Sequence, residues 1–386
     1  MSSLFRATLL IALTTVQAVA GETFPGFHAV TIDPHVGDIC YAVTAADVDG
    51  DGRDDIVAVS ENRVVWYRAP DWQPGVIVED QTPRDNVCIA PADIDGDGQV
   101  DFALGAGWTK TGTLHWLRCG PSLDEPWQVH PIGEERWLHR MRWADVLGKG
   151  RPQLVISPLN ATTGSGVRLT AFEIPNKPTT DRWPATVLDG ELNRMHNHWH
   201  VDFDGDEAVD TLTASREGVH LVRLQDGQWT RIRLANGATA DEPDQSGAGE
   251  IKTGRLASGA VFITTVEPMH GHELVVYTAP GSDDELWIRH VIDSGFQRGH
   301  ALWTADIDGD GDDEIAFGHS DTPEAPGVNV YDARNDTGTQ WRKHVLDAGG
   351  IATEDLIVAD LTGDGHPDIV AGGRATHNVK LYVNGE

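Results

Sequence analysis

Short alternating or apolar segments recur along the whole chain, separated by turn residues. One class reads DIVAVS, DFALGA, EIAFGH and DIVAGG, a second reads VVWYRAP, LHWLRC, VNVYDA and VKLYVN, and a third reads WQVHPI, WIRHVI and WRKHVL. Short segments that are rich in β-branched and aromatic residues and bounded by turns predict β-strands. A further alternating segment precedes each acidic turn. The pattern therefore predicts repeating units of four strands.

Acidic loops mark the start of each repeat. They follow the pattern Asp-x-Asp-Gly-Asp-Gly-x-x-Asp or a close variant, and they begin at Asp47, Asp93, Asp202, Asp306 and Asp360. A decayed copy, DVLGKGRPQ, begins at Asp145. The loops recur roughly every fifty residues, with one doubled gap before the Asp306 loop. The doubled gap predicts a hidden unit near Arg255, which gives seven units.

Seven units of four strands predict an all-β fold, a seven-bladed β-propeller of four-stranded blades. The chain ends on a strand of the third type, Val379 to Asn384, while the N-terminal segment that begins at Phe27 (FHAVTI) resembles the fourth type. We therefore expect the N-terminal strand to complete the last blade, so that the ring closes without free edges. Residues 21–386 form a single domain in this interpretation.

The first twenty residues predict a secretory signal peptide. They combine Arg6 with an apolar run from Ala7 and the small-residue ending Ala18-Val19-Ala20. A short apolar run ahead of small residues is typical of a cleaved export signal. We therefore expect residues 1–20 to be removed and the mature protein to be secreted or periplasmic.

Composition excludes several classes of function. The 386 residues include 60 Asp and Glu against 29 Lys and Arg, a formal net charge of -31. This charge repels a phosphate backbone and an anionic membrane surface, so we expect no nucleic-acid partner and no membrane insertion. The 3 cysteines exclude a disulfide-stapled small domain, although Cys40 and Cys88 could pair. The chain contains no Walker, dinucleotide or Gly-x-Ser-x-Gly motif.

The acidic loops have the chemistry of structural calcium sites. Carboxylates at positions 1, 3, 5 and 9 supply hard oxygen ligands, and the glycines between them permit a tight turn. We expect about four to five Ca²⁺ ions. Their ligands would be Asp47, Asp49, Asp51, Asp55, Asp93, Asp95, Asp97, Asp101, Asp202, Asp204, Asp206, Asp210, Asp306, Asp308, Asp310, Glu314, Asp360, Asp364 and Asp368. The Asp145 loop has Leu147 and Lys149 at ligand positions, so we expect it to hold no ion. Solvated acidic turns without metal are the alternative.

Histidines fall into two groups among the 17 in the chain. Those that recur within the fourth-strand segments predict packing. Others stand six residues before the acidic loops, where the equivalent positions are Tyr41, Val87, His139, His196, Gly249, His300 and Glu354. We expect these positions to ring the mouth of a central channel on the face opposite the acidic loops, with Arg140, Asn197, Glu250 and Lys252 around them.

Two His-x-His pairs predict a second kind of metal site. The segment HNHWH begins at His196, and the loop HGH begins at His270. Residues i and i+2 of an extended strand lie on one side, about 6 to 7 Å apart, so such a pair can bind one transition ion. We predict that His196, His198 and His272 bind Zn²⁺ or a similar divalent ion. The alternative is that these histidines satisfy backbone groups in a wet channel.

The repeats resemble those of FG-GAP or VCBS propellers, whose acidic loops hold calcium between the first and second strands of a blade. Among these propellers the chain is similar to the propeller of the aldos-2-ulose dehydratases, which also act on 1,5-anhydrofructose. The similarity is carried by GHALWTADIDGDG from Gly299, WIRHVID from Trp287 and HNHWHVDFDGD from His196. The resemblance implies a carbon-oxygen lyase that removes the proton at C3 of a 2-keto sugar and expels the C4 hydroxyl.

For this elimination we expect His139 or His300 to be the base and Tyr41 or the other histidine to be the acid. Glu354 and Arg140 complete the expected catalytic group, and the expected substrate contacts are Asn197, Trp199, Lys252, His270 and His319. Two alternatives stay open. One is a polysaccharide lyase acting on uronate glycans, and the other is a non-catalytic propeller that binds carbohydrate or protein.

Overall fold

A computed structural model describes residues 24–123, 125–161, 164–242, 245–282, 284–320 and 325–385. The predicted signal peptide, residues 1–20, lies outside these ranges. The described ranges contain no α-helix. Nothing in them forms a helix of the length and apolarity needed to span a membrane.

The described strands form seven antiparallel sheets of four strands each. This confirms the seven-bladed propeller, including the hidden fifth blade. The first, innermost strands are β2 (Cys40–Ala46), β6 (Cys88–Ala92), β10 (Leu138–Ala144), β14 (Asn197–Val201), β18 (Ile251–Arg255), β22 (Gly299–Ala305) and β26 (Thr353–Ala359). The second strands are β3 (Asp55–Ser60), β7 (Asp101–Ala106), β11 (Gln153–Pro158), β15 (Asp210–Ser215), β19 (Val261–Glu267), β23 (Glu314–His319) and β27 (Asp368–Gly373).

The outer half of each blade is built in the same way. The third strands are β4 (Arg63–Arg68), β8 (Thr113–Arg118), β12 (Leu169–Phe172), β16 (Gly218–Gln225), β20 (Glu273–Thr278), β24 (Gly327–Ala333) and β28 (Val379–Asn384). The fourth strands are β5 (Gln73–Glu79), β9 (Gln128–Glu134), β13 (Ala185–Asp189), β17 (Gln228–Ala235), β21 (Ile288–Asp293), β25 (Trp341–Ala348) and β1 (Phe27–Asp33).

The N-terminal strand β1 lies at the outer edge of the sheet formed by β26, β27 and β28. It pairs with β28 from Phe27, opposite Asn384, to Asp33, opposite Val379. Each inner strand also contacts the inner strand of the next blade, and β26 contacts β2. At that junction the backbone N–H of Val43 donates to Asp355 at 3.1 Å. The inner strands thus surround one central channel.

The hydrophobic core is divided among the spaces between blades. Every residue of the seven second strands is buried except one, whereas the fourth strands alternate between partly buried and exposed positions. One cluster joins Val57 and Trp66 of the first blade to Phe102 and Trp127 of the second. Cys40, Cys88 and Cys119 are buried free thiols, so the possible Cys40–Cys88 bridge is not formed.

Three blade junctions share one hydrogen bond. In each, a tyrosine hydroxyl of a third strand donates to an aspartate in the last two residues of the fourth strand of the preceding blade. The pairs are Tyr67 with Asp33, Tyr331 with Asp293 and Tyr382 with Asp347. Burial and the neighbouring aspartate raise the pKa of all three phenols, so each remains a donor.

The acidic loops are held by their own carboxylates. Asp93 accepts backbone N–H groups from Gly96, Asp97 and Gly98 at 2.8 to 3.1 Å. The decayed loop keeps this turn, because Asp145 accepts the N–H of Lys149 at 2.9 Å. Four loops bring three acidic groups to within 4.8 Å of one another, namely Asp47, Asp49 and Asp55; Asp93, Asp95 and Asp101; Asp202, Asp204 and Asp206; and Asp306, Asp308 and Glu314.

Crowding of carboxylates is greatest in the sixth blade. Arginines of the third strands bind the acidic groups of other loops, as Arg68 does to Asp49 at 2.5 Å. No arginine pairs with the ligand carboxylates of the Asp306 loop within the described ranges. Burial and the neighbouring carboxylates raise the pKa of Asp308 to about 6 and that of Glu314 to about 9. A divalent cation would relieve this repulsion.

We predict that the Asp306 loop binds one calcium ion. The variant E314Q removes a ligand charge, so it should bind one Ca²⁺ fewer per chain than the wild type by equilibrium dialysis with elemental analysis. The control D145N alters the decayed loop and should leave the calcium content unchanged. Equal calcium content in E314Q and the wild type would refute the assignment.

A candidate active site of four histidines

Each inner strand carries an extra residue near its start. His139 lies between Leu138, which pairs with Pro158, and Arg140, which pairs with the adjacent Ser157. The same irregularity places Tyr41, His300 and Glu354 in their blades. In the other three blades the equivalent backbone N–H donates to the second strand, from Val87, His196 and Gly249. Two residues oppose one at such a β-bulge, so the bulged residue and its successor both face the channel.

Three of the bulged residues are histidines whose rings meet. The ring centroid of His196 lies 4.4 Å from that of His139 and 5.2 Å from that of His300. A fourth ring, His270, comes from the loop between β19 and β20, and its centroid lies 4.4 Å from that of His196. Each ring offers a nitrogen within 4.8 Å of the others. His139, His196, His270 and His300 form what we term the four-histidine cluster.

A glycine at the bulge of the fifth blade makes room for His270. A Cβ on Gly249 would lie 2.0 Å from the backbone oxygen of Met269, so a larger residue would displace the β19–β20 loop. That loop turns closely at Gly271, where a Cβ would lie 2.0 Å from the backbone oxygen of Glu267. The blade that lacks a histidine at its bulge therefore supplies one from its loop.

A hydrogen bond orients His300, and a close carboxylate lies behind His196. Nδ1 of His300 donates to the backbone oxygen of Glu354 at 2.5 Å, and Nδ1 of His196 lies 3.0 Å from Oε1 of Glu250. A neutral ring that donates from Nδ1 keeps its lone pair on Nε2. Nε2 of His196 lies 2.5 Å from Nε2 of His270. A carboxylate behind one ring nitrogen is the usual support of a histidine that binds metal through the other.

His139 is oriented in the opposite sense. Nη1 of Arg140 donates to Nδ1 of His139 at 3.0 Å, so the neutral ring carries its hydrogen on Nε2. Arg140 also donates to Glu250 at 2.8 Å, and Asn197 donates to the same carboxylate. Burial alone would raise the pKa of Glu250, but Arg140 and His196 outweigh it and lower the pKa. Glu250 is therefore an ionised group shared by three blades.

All four rings of the cluster are neutral at pH 7. Burial is the largest cause, and it lowers the pKa of each imidazole below the ordinary histidine value of about 6.5. Neighbouring arginines and the other rings lower the pKa of His139 and His300 further. A neutral imidazole can bind a metal ion or accept a proton.

A cavity of about 70 Å³ opens beside the cluster, lined by His139 and His300 and by Tyr41 and Glu354 at neighbouring bulges. Tyr41 donates to Asp85 at 3.4 Å, and burial, followed by Asp85, raises the pKa of its phenol to about 12.

Two arginines at the cavity share one carboxylate. Glu354 accepts from Arg374 at 2.6 Å and from Arg298 at 3.4 Å. Arg374 also lies 5.6 Å from the ring of Tyr41. The expected catalytic residues His139, His300, Tyr41, Glu354 and Arg140 thus all line one cavity.

The three histidines predicted to bind zinc, His196, His198 and His272, do not lie together. Nδ1 of His198 lies 2.9 Å from the hydroxyl of Ser157 in the adjacent blade, and His272 is exposed. The bulge at His196 interrupts the strand alternation on which the i, i+2 argument depended. His270 and His272 are separated by the turn at Gly271. Of the triad, only His196 belongs to the four-histidine cluster.

Other expected substrate contacts lie apart from the cavity. Asn197 binds Glu250, and the ring of His319 lies 5.8 Å from that of Phe317, outside the cavity lining. Trp199 lines a second cavity on the acidic-loop side, and Lys252 lies 4.6 Å from the ring of Trp199.

Sequence reasoning missed two residues that line this second cavity, Arg142 and Asp355. Counting three and five residues back from the first aspartate of each acidic loop, in addition to six, would have identified both residues. The five-residue position follows the bulge, and the three-residue position lies two residues further along the strand.

Comparisons with known proteins agree with this architecture. Residues 111–280 match a family model described as the aldos-2-ulose dehydratase beta-propeller domain. Residues 47–104 and 306–371 match the FG-GAP-like repeat. A curated relative, aldos-2-ulose dehydratase of Phanerodontia chrysosporium, is 29% identical over 277 residues. The match covers 64% of this chain and 30% of the relative, so the chain aligns with about a third of that protein.

Two solved structures share the fold. A chain in the crystal structure of the mitotic checkpoint complex has a TM-score of 0.59 and 10% identity, covering 98% of this chain and 100% of that chain. A chain in the crystal structure of BBS1N in complex with ARL6DN, soaked with lead, has a TM-score of 0.57 and 12% identity, covering 94% and 98%. Such low identity shows the fold alone. The chain is therefore a seven-bladed propeller with FG-GAP-like repeats whose middle part is similar to the propeller domain of aldos-2-ulose dehydratase.

Proposed function

We propose that this protein is a secreted carbon-oxygen lyase that removes water from a keto sugar by β-elimination, with a divalent metal ion at the four-histidine cluster. The observation that carries the proposal is the convergence of four neutral imidazoles beside a polar cavity. The name of the curated relative supports the reaction class. The substrate class follows from that relative and is a 2-keto sugar or 1,5-anhydrofructose.

His300 is the base in this proposal. Its Nδ1 is fixed on the backbone oxygen of Glu354, so the lone pair of Nε2 is free to accept the hydrogen α to the carbonyl. The Glu354 carboxylate lies 3.5 Å from Nε2 and stabilises the imidazolium that forms. His300 then returns the proton to the β-hydroxyl oxygen. The carbon–oxygen bond breaks, water leaves, and the ring becomes neutral again.

His139 stabilises the enolate oxygen in this proposal. Because Arg140 donates to its Nδ1, His139 presents an N–H from Nε2 to the cavity. A neutral imidazole that donates a hydrogen bond suits an enolate, since it supplies a donor without giving up its proton. The protonated phenol of Tyr41 supplies a second donor to the substrate hydroxyls.

His196 and His270 would hold the metal ion. Their Nε2 atoms are close together, and Glu250 supports His196 from behind. Nitrogen donors of this kind suit Zn²⁺ better than the calcium ions proposed for the carboxylate loops. A divalent ion held by these two rings would supply Lewis acidity, which polarises a carbonyl and makes its α-hydrogen more acidic.

The arrangement of charge favours a dehydratase over a polysaccharide lyase. A lyase that acts on uronate glycans needs cations to neutralise the substrate carboxylate. Among the described residues, the three arginines that line the cavity are all bound to carboxylates, Arg298 and Arg374 to Glu354 and Arg140 to Glu250. A neutral keto sugar needs no such free cation.

We predict that H300Q lowers turnover of 2-keto-glucose or 1,5-anhydrofructose at least about 100-fold, since a positioned general base contributes on the order of that factor. The ultraviolet absorbance of the conjugated product would be followed, and KM should change little. The control H272Q alters an exposed histidine of the β19–β20 loop and should keep wild-type turnover. Unchanged turnover in H300Q would exclude His300 as the base. A flat trace from the zinc-loaded wild type on both sugars would exclude the dehydratase, and a rise on uronate glycans would indicate the lyase.

We also predict that zinc binding requires His270 and does not require His272. After dialysis against zinc, the wild type and H272A should retain the ion, and H270A should lose it, as measured by elemental analysis after gel filtration. Equal zinc retention in H270A and H272A, or none in the wild type, would contradict a metal site at the cluster.

A further inference from the structure

A second cavity occupies the acidic-loop side of the central channel. Its volume is about 280 Å³, larger than that of the cavity beside the four-histidine cluster. Arg140 and Val87 line both cavities and lie between them. None of the roles proposed for the elimination uses the residues found only in the second cavity.

Two cations at the second cavity have few acceptors around them. Arg142 is a partly buried residue of the lining, and Lys252 is a buried residue outside the lining whose ammonium contacts two of the lining tryptophans. The guanidinium of Arg142 makes no hydrogen bond or ion pair with any residue in the described ranges, and it lies 5.2 Å from the ring of Trp199. Lys252 is 2% exposed, and its one hydrogen bond among the described residues goes to the backbone oxygen of Ile251 at 3.3 Å. A buried ammonium is normally paired with acceptors, and a guanidinium at a cavity wall keeps N–H donors for one.

The rings of Trp199 and Trp303 hold these cations in place. The ammonium of Lys252 lies 4.6 Å from the ring of Trp199 and 5.1 Å from that of Trp303. Cation–π contacts of this kind use the ring faces and leave N–H groups free for an acceptor. The guanidinium of Arg142 is therefore positioned in advance for a ligand, and the ammonium of Lys252 adds positive charge next to it.

Charge at this end of the channel is unbalanced by one when Lys252 is protonated. Arg140 is paired with Glu250, which leaves Arg142 and Lys252 against Asp355, the one acid among the described residues that line the cavity. The crowding of cations also affects Lys252, because burial and Arg142 lower its pKa to about 7. A ligand with a single negative charge would neutralise the group, whereas a dianion would be repelled by Asp355.

We propose that the second cavity binds a small carboxylic acid, with its carboxylate on Arg142 and the charge of Lys252 close by, beside the two tryptophans of the cavity wall. Carboxylate geometry matches the fork of a guanidinium. Apolar side chains, including Ile89, Met141 and Ile357, line the rest of the cavity and would contact the uncharged body of the ligand. The site is distinct from the four-histidine cluster and needs no metal ion.

The test is isothermal titration of the full-length protein with lactate and gluconate, each compared with its neutral analogue, lactamide or glucose. We expect at least one of the two acids to bind and neither neutral analogue to do so. R142Q should weaken binding by at least about tenfold, since it removes a charged donor pair, and K252Q should weaken it as well. Thermal melts identify a variant that fails to fold. In that case the affinity of the other variant for the acid is the test.

The control H270A separates this site from a metal-bound carboxylate at the cluster. It should lose zinc but keep wild-type affinity for the acid. Binding that is lost in H270A and kept in R142Q and K252Q would overturn the proposal. So would no binding of either acid, equal binding of the neutral analogues, or tighter binding of inorganic phosphate.

Discussion

The bulge at the start of each inner strand is the feature on which the candidate site depends. A regular strand presents every second residue to one side, so each blade would offer fewer side chains to the channel near its mouth. The bulge lets His139 and Arg140 face the channel together, and it does the same for Glu354 and Asp355. Because seven blades repeat the irregularity, the channel gathers more polar groups than its diameter would otherwise allow.

Such a concentration of charge is stable only where the groups find partners in other blades. Glu250 of the fifth blade accepts from Arg140 of the third and Asn197 of the fourth, and it lies beside His196. Asp355 of the seventh blade accepts from the backbone of the first. The interactions that orient the candidate catalytic groups therefore also fix neighbouring blades to one another. The same interactions therefore determine the geometry of the site and the register between neighbouring blades.

The sequence predicts the fold well because each blade repeats the same local signals. The acidic loop locates every blade except the fifth, and counting six residues back from Asp145, Asp202 and Asp306 finds three of the four clustered histidines. The count cannot place pairs within one strand, since no local signal reveals a bulge, and His198 lies against Ser157 rather than in the cluster. The choice between His270 and His272 depended on two glycines, Gly249 and Gly271, whose role appears only when the loop is packed against the strand.

The two ends of the channel differ in electrostatic character, and Arg140 accounts for the division. On one side its guanidinium donates to His139, within a set of neutral rings suited to developing charge on a neutral sugar. Its ion pair occupies Glu250, which leaves Asp355 alone against Arg142 and Lys252 on the other side. An excess of positive charge inside a protein with a net charge of -31 is not explained by composition. It follows from the placement of one carboxylate, which supports the histidines and leaves the other two cations with Asp355 as the one acid among the described residues of the lining.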